Sequence, residues 1–112
     1  MPPDRVRVQH MLDATQKALG FTGGRTRSDL DEDEMFALAV VRLLEIIGEA
    51  AKHVSEPVRS LGPVIPWRQI AGTRDRLTHG YFDVDPDIVW SILPEDLPLL
   101  RTELERLLGH ID

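Results

Sequence analysis

The chain has no cysteine, which excludes disulfides and thiolate metal sites and fits a reducing compartment. It also lacks any apolar run near the roughly 20 residues that a membrane-spanning helix needs. Its start, Met1-Pro2-Pro3-Asp4-Arg5, does not have the charged-then-apolar layout of a secretory signal, so a cytoplasmic location is expected. No stretch of useful length alternates apolar and polar residues, so strands are not expected. The four histidines, His10, His53, His79 and His110, make no HExxH motif and no i,i+4 pair, which argues against a metal site. Gly20-Phe21-Thr22-Gly23-Gly24 lacks the lysine spacing of a phosphate loop, and no nucleophilic-serine motif is present. No cofactor is expected. The formal net charge of −6 counts against broad, sequence-blind binding of nucleic acid. Any such contact has to be local, at a cluster such as Arg68, Arg74 and Arg76.

What is present is helical periodicity. A length of 112 residues fits one domain, 1–112, able to bury roughly 60–70% of its unfolded surface. Val8, Met11, Leu12, Thr15, Ala18 and Leu19 recur at three- and four-residue spacing and predict a helix over about 4–19. Gly20, Gly23 and Gly24 then mark a loop. Ser28 is a candidate N-cap for a long second helix reaching about Val54, with Asp29, Asp31, Glu32, Asp33 and Glu34 favourable near its positive end. From Met35 to Ala51 this helix is apolar on more than one face, as a central or partner-sharing helix would be. Ser55-Glu56-Pro57 predicts a short turn. Pro66 opens a predicted helix over about 66–79 with Gly80 as its terminator. Asp85-Pro86 restarts a helix, Pro94 and Pro98 must kink or split it, and Leu97, Leu100, Leu104, Leu107 and Leu108 form the last amphipathic segment. The expected fold is an all-α antiparallel helical bundle of four to five main helices with a kinked C-terminal helix.

The densest chemistry lies in Arg74-Asp75-Arg76-Leu77-Thr78-His79-Gly80-Tyr81. Arginine carries a permanent charge suited to phosphate, and histidine exchanges protons near neutral pH. Arg74 falls in the apolar stripe with Trp67, Ile70, Ala71 and Leu77. It either pairs with a carboxylate such as Glu45, Glu49 or Asp75, or holds its charge for a ligand. Likewise Arg42, Glu45, Glu49 and Lys52 are either a charge ladder on the outer face of the long helix or, at Glu45 or Glu49, the border of an active cleft. On one ideal helix Arg74 and His79 would stand about 7.5 Å apart along the axis and about 140° apart around it. A turn after His79 or a second protomer would have to close that gap. Asp75, four residues before His79, could reach the imidazole and fix its tautomer.

The R-x4-H-x-Y pattern resembles the signature of the HEPN ribonucleases, in particular the HepT-like toxins of two-component toxin–antitoxin pairs. The resemblance is strongest in Leu43-Leu44-Glu45-Ile46-Ile47-Gly48-Glu49-Ala50-Ala51 and from Ile65-Pro66-Trp67 to Trp90. It implies a dimerising helical bundle with the Arg/His pairs facing one cleft, and metal-independent RNA cleavage. It also implies a cognate minimal nucleotidyltransferase antitoxin, which in some members transfers AMP to the motif tyrosine. Carried over residue by residue, Arg74 and His79 are catalytic, Asp75 is orienting, Tyr81 is the AMPylation target, and Arg68 and Arg76 are candidate RNA phosphate contacts. The alternative is a non-catalytic helical dimer module that binds the nucleotidyltransferase.

Overall fold

The computed structural model describes residues 3–79 and 83–111, and of His79 the backbone alone. Among the described residues eight α-helices form in chain order: α1 Asp4–Thr22, α2 Asp29–Glu32, α3 Glu34–Lys52, α4 Glu56–Arg59, α5 Trp67–Ala71, α6 Thr73–Leu77, α7 Pro86–Ser91 and α8 Leu97–Leu108. A π-helical turn, Ile92–Asp96, joins α7 to α8. A two-residue ladder of β1 (Thr78–His79) and β2 (Asp83–Val84) departs from the strand-free pattern expected from periodicity.

Apolar positions of α1, α3 and α8 meet in one core. Val8, Met11, Leu12, Ala14 and Ala18 of α1 pack with Phe36, Val40, Leu43, Leu44 and Ile47 of α3 and Leu97, Leu100, Leu104 and Leu107 of α8. Direction follows from the chain ends. Asp4 at the start of α1 accepts hydrogen bonds from the backbone N–H and hydroxyl of Ser55, just past α3. The Arg5 guanidinium donates to the carbonyls of Leu108 and Ile111, at the end of α8. Helix α1 therefore runs antiparallel to both, as the bundle expected from periodicity requires.

Three boundaries differ from the sequence reading. Helix α1 continues through Gly20 to Thr22, whose hydroxyl donates to the Ala18 carbonyl; the loop turns at Gly24, in the left-handed region with φ 76°. The long second helix is two. Asp33 breaks it, with an extended backbone and a carboxylate that accepts from Phe36 N–H at 3.1 Å and Arg25 at 2.9 Å, the competition with helix that short acidic side chains offer. Asp33, not Ser28, thus caps α3, and its carboxyl lies below the usual range because of the Phe36 N–H first and Arg25 second.

The third boundary bears on function. The helix expected over 66–79 is α5 and α6, offset at Gly72, and it ends at Leu77. Thr78 is extended and pairs with Val84, while the His79 backbone pairs with Asp83. The Asp85 N–H donates to the Leu77 carbonyl at 2.7 Å and so closes the helix end. Asp85 in turn caps α7 by accepting from the Asp87 and Ile88 N–H groups. At the expected kink, Pro94 lies within the π-helical turn and Pro98 in the first turn of α8, where a missing N–H is tolerated.

Candidate active site

Gly48 decides where the motif segment sits. A Cβ at this position would lie 2.8 Å from the Ile70 carbonyl oxygen and 3.2 Å from the Thr73 Cβ. Only a glycine lets α3 and the α5–α6 junction approach this closely. The Thr73 hydroxyl donates to the same Ile70 carbonyl at 2.6 Å and is buried at the contact. From the other side Trp67 is anchored: its indole N–H donates to the Gly62 carbonyl at 3.0 Å, and the Arg59 guanidinium lies over the ring. Arg59 also donates to the Ala51 and Val54 carbonyls and so caps the end of α3. The arginine-bearing segment is thus clamped to α3 through backbone contact.

Beside that contact is a small cleft of about 60 Å³ lined by Arg42, Glu45, Gly48, Glu49, Ala71 and Arg74. Arg74 does not lie in a buried stripe. Its side chain is 75% exposed, and its Nε stands 4.0 Å from Glu45 Oε2, whose side chain is 28% exposed. The separation is that of an ion pair, too long for a hydrogen bond. The α3 polar row makes an ion pair and also lines this small cleft. Lys52 pairs with Glu49 at 3.1 Å, one helical turn apart, and Glu45 and Glu49 border the cleft. The Glu49 carboxyl is held below its usual range by the hydrogen bond from Lys52, then by the charges of Lys52, His53 and Arg74.

Asp75, Arg76 and Arg68 are all exposed. Because α6 ends at Leu77, Asp75 and His79 do not share a helix, and the helical reach expected between them does not apply. Arg76 lies across α6 from Arg74 and borders a second, apolar groove of about 230 Å³, floored by Leu44, Ile47, Ile92 and Leu100. Arg68 lines neither cavity, so the three arginines are not gathered into one pocket. The His79 side chain, Gly80 and Tyr81 lie outside the described residues. Among the described residues no group of three metal-ligating side chains is present, and no helix is long and apolar enough to cross a membrane. Sequence reasoning missed Arg42, Gly48 and Ala71 as cleft residues. The available signal was a glycine inside an apolar helical run, the mark of close backbone approach.

Comparison with known proteins points one way. The family model described as "Ribonuclease HepT-like" matches residues 11–107. A protein of Thermococcus cleftensis named "Probable ribonuclease HepT" is 45% identical over 75 residues, 67% of this chain and 68% of its own. A "Putative RNase" of Methanocaldococcus jannaschii is 34% identical, covering 85% of this chain and 87% of its own. Another, from Caldanaerobacter subterraneus subsp. tengcongensis, is 33% identical and covers 96% of each. No solved structure gives a significant match.

Proposed function

The chain belongs to the HepT-like ribonuclease family, and on that premise we propose that it is a metal-independent endoribonuclease toxin that cleaves RNA with Arg74 and His79. The observation that carries this reading is the exposed Arg74 guanidinium at the cleft mouth, on the helix that leads directly into the strand bearing His79. Neutral His79 takes the proton from a ribose 2′-OH. The 2′-oxygen forms a bond to the adjacent phosphorus while Arg74 stabilises the added negative charge. The bond from phosphorus to the 5′-oxygen then breaks, and a protonated His79 from a second protomer supplies that oxygen with a proton. The products are a 2′,3′-cyclic phosphate and a 5′-hydroxyl. The need for a 2′-OH makes RNA the substrate and DNA inert.

One face of α3 supports a homodimer. Of the apolar residues Leu43, Ile46 and Ile47 on this helix, Leu43 and Ile47 are buried in the chain's own core and Ile46 is half-buried against it. The largely exposed apolar side chains of α3 are Met35 and Leu38, at 83% and 63%. These continue at three- and four-residue spacing into Arg42, Glu45 and Glu49, so one face of α3 joins an apolar patch to the cleft border. A second copy on that face would bring its own His79 toward the site. The proposed cytoplasmic antitoxin is a minimal nucleotidyltransferase that adds AMP to Tyr81, setting bulk and negative charge two residues from His79. The test is expression of the chain alone, wild type against His79→Ala, with growth and RNA integrity followed. Arrested growth with fragmented RNA is expected for the wild type only. Intact RNA and normal growth in both would favour the non-catalytic binding module.

A further inference from the structure

We propose that Glu45 is a positioning residue for Arg74. The inference rests on the reading of Arg74 as the charge that meets the RNA phosphate. An arginine that is three-quarters exposed has many rotamers open to it. Electrostatic stabilisation of a transition state requires the charge to be in place before the reaction. Glu45 is the group that can hold it. Its side chain is about half as exposed as that of Glu49 (28% against 53%), so its field is less screened by water. Glu49 also feels the Arg74 charge, but its hydrogen bond goes to Lys52.

The facing atom matters as much as the distance. The nearest approach of Glu45 Oε2 to the guanidinium is at Nε, 4.0 Å away, the distance of an ion pair. The planar group carries five donors in a fixed fork. A carboxylate nearest Nε leaves the outer edge, with one N–H from each Nη, for a ligand. That edge matches two oxygens of one phosphate. The Gly48 contact keeps the helix that carries Glu45 against the segment that carries Arg74, so the pair is built on rigid backbone.

A different role for the same carboxylate gives opposite results. If Glu45 only repels phosphate, its removal tightens RNA binding and speeds cleavage. The experiment is steady-state cleavage of a fluorogenic RNA by purified wild type, Glu45→Gln, Glu45→Asp, Arg74→Lys and the double variant Glu45→Gln/Arg74→Lys. Circular dichroism checks helix content. The expected result for Glu45→Gln is a loss of about ten-fold to a hundred-fold in kcat, the scale of a misplaced catalytic group, with KM unchanged or lower. Glu45→Asp, which keeps the charge, should lie between wild type and Glu45→Gln. In the Arg74→Lys background the Glu45→Gln effect should vanish, because an ammonium has no fork to orient.

An undiminished kcat in Glu45→Gln would overturn the proposal. So would an equal loss in the Arg74→Lys background, or an Asp variant no better than the Gln variant. Wild type active, Arg74→Ala dead and Glu45→Gln at full rate would remove this role alone. A wild-type chain that cleaves no RNA would remove the ribonuclease reading and this role together.

Discussion

Arg74 stands largely in water, so it avoids the desolvation penalty of a buried charge. Its charge is thereby open to a ligand, and the role proposed for it is transition-state stabilisation. Removing one such charge costs about 10²–10³ in rate. Arg74→Ala and His79→Ala should each reduce RNA cleavage at least that far while helix content is kept, since Arg74 is largely exposed and position 79 lies past the end of α6. Cleavage by the wild type should persist in EDTA; loss on chelation with recovery on added metal would contradict a reaction that needs no ion. Tyr81 carries a separable prediction. Tyr81→Phe should keep much of the activity, since its hydroxyl moves no proton in the proposed reaction. Co-expression with a cognate nucleotidyltransferase should silence the wild type with one or more AMP units gained by intact mass, and leave the Phe variant active. Inhibition without any mass change would point to occlusion by the bound partner.

At the scale of elements, two glycines inside long helices make a controlled comparison. A Cβ at Gly48 meets the Ile70 carbonyl at 2.8 Å, whereas nothing lies within 4 Å of a Cβ at Gly20. Gly48→Ala should destabilise by about 1–3 kcal/mol through overpacking and lower activity by moving α5–α6 off α3. Gly20→Ala should stabilise by roughly 0.4–1 kcal/mol, because alanine limits the unfolded chain at an unhindered helical site. Urea titrations of both variants measure the pair of signs. The same helices show where sequence periodicity suffices. The spacing of Leu97, Leu100, Leu104 and Leu107 locates α8, and Asp85-Pro86 locates the start of α7, because both signals are local. The split at Asp33 is hidden, since any of five acidic residues from Asp29 to Glu34 suits a first turn equally. The end of α6 at Leu77 is hidden for another reason. It is set by pairing with Asp83–Asp85 across the chain, which no window of helical periodicity contains. The motif residues were therefore legible, while their presentation, one on a helix and one on a strand, was not.

For the whole molecule, assembly is the quantity to measure. Sedimentation at micromolar concentration should give the dimer mass, and Met35 and Leu38 changed together to Glu should give monomers with an intact core, since both side chains are exposed in the single chain. A clean monomer with full nuclease activity would refute a shared site. Within one protomer, the clasp of Arg5 on the Leu108 and Ile111 carbonyls has a topological consequence. It draws both ends of the described chain to one edge, so the order in which the helices are strung together is dispensable to the contacts among them. A circular permutant, joined there by a short flexible linker and reopened at the exposed Gly23–Gly24 turn, retains every helix and every core neighbour. The new ends then emerge between α1 and α2, and the bundle becomes a closed ring of helices that can be cut where an attachment is wanted.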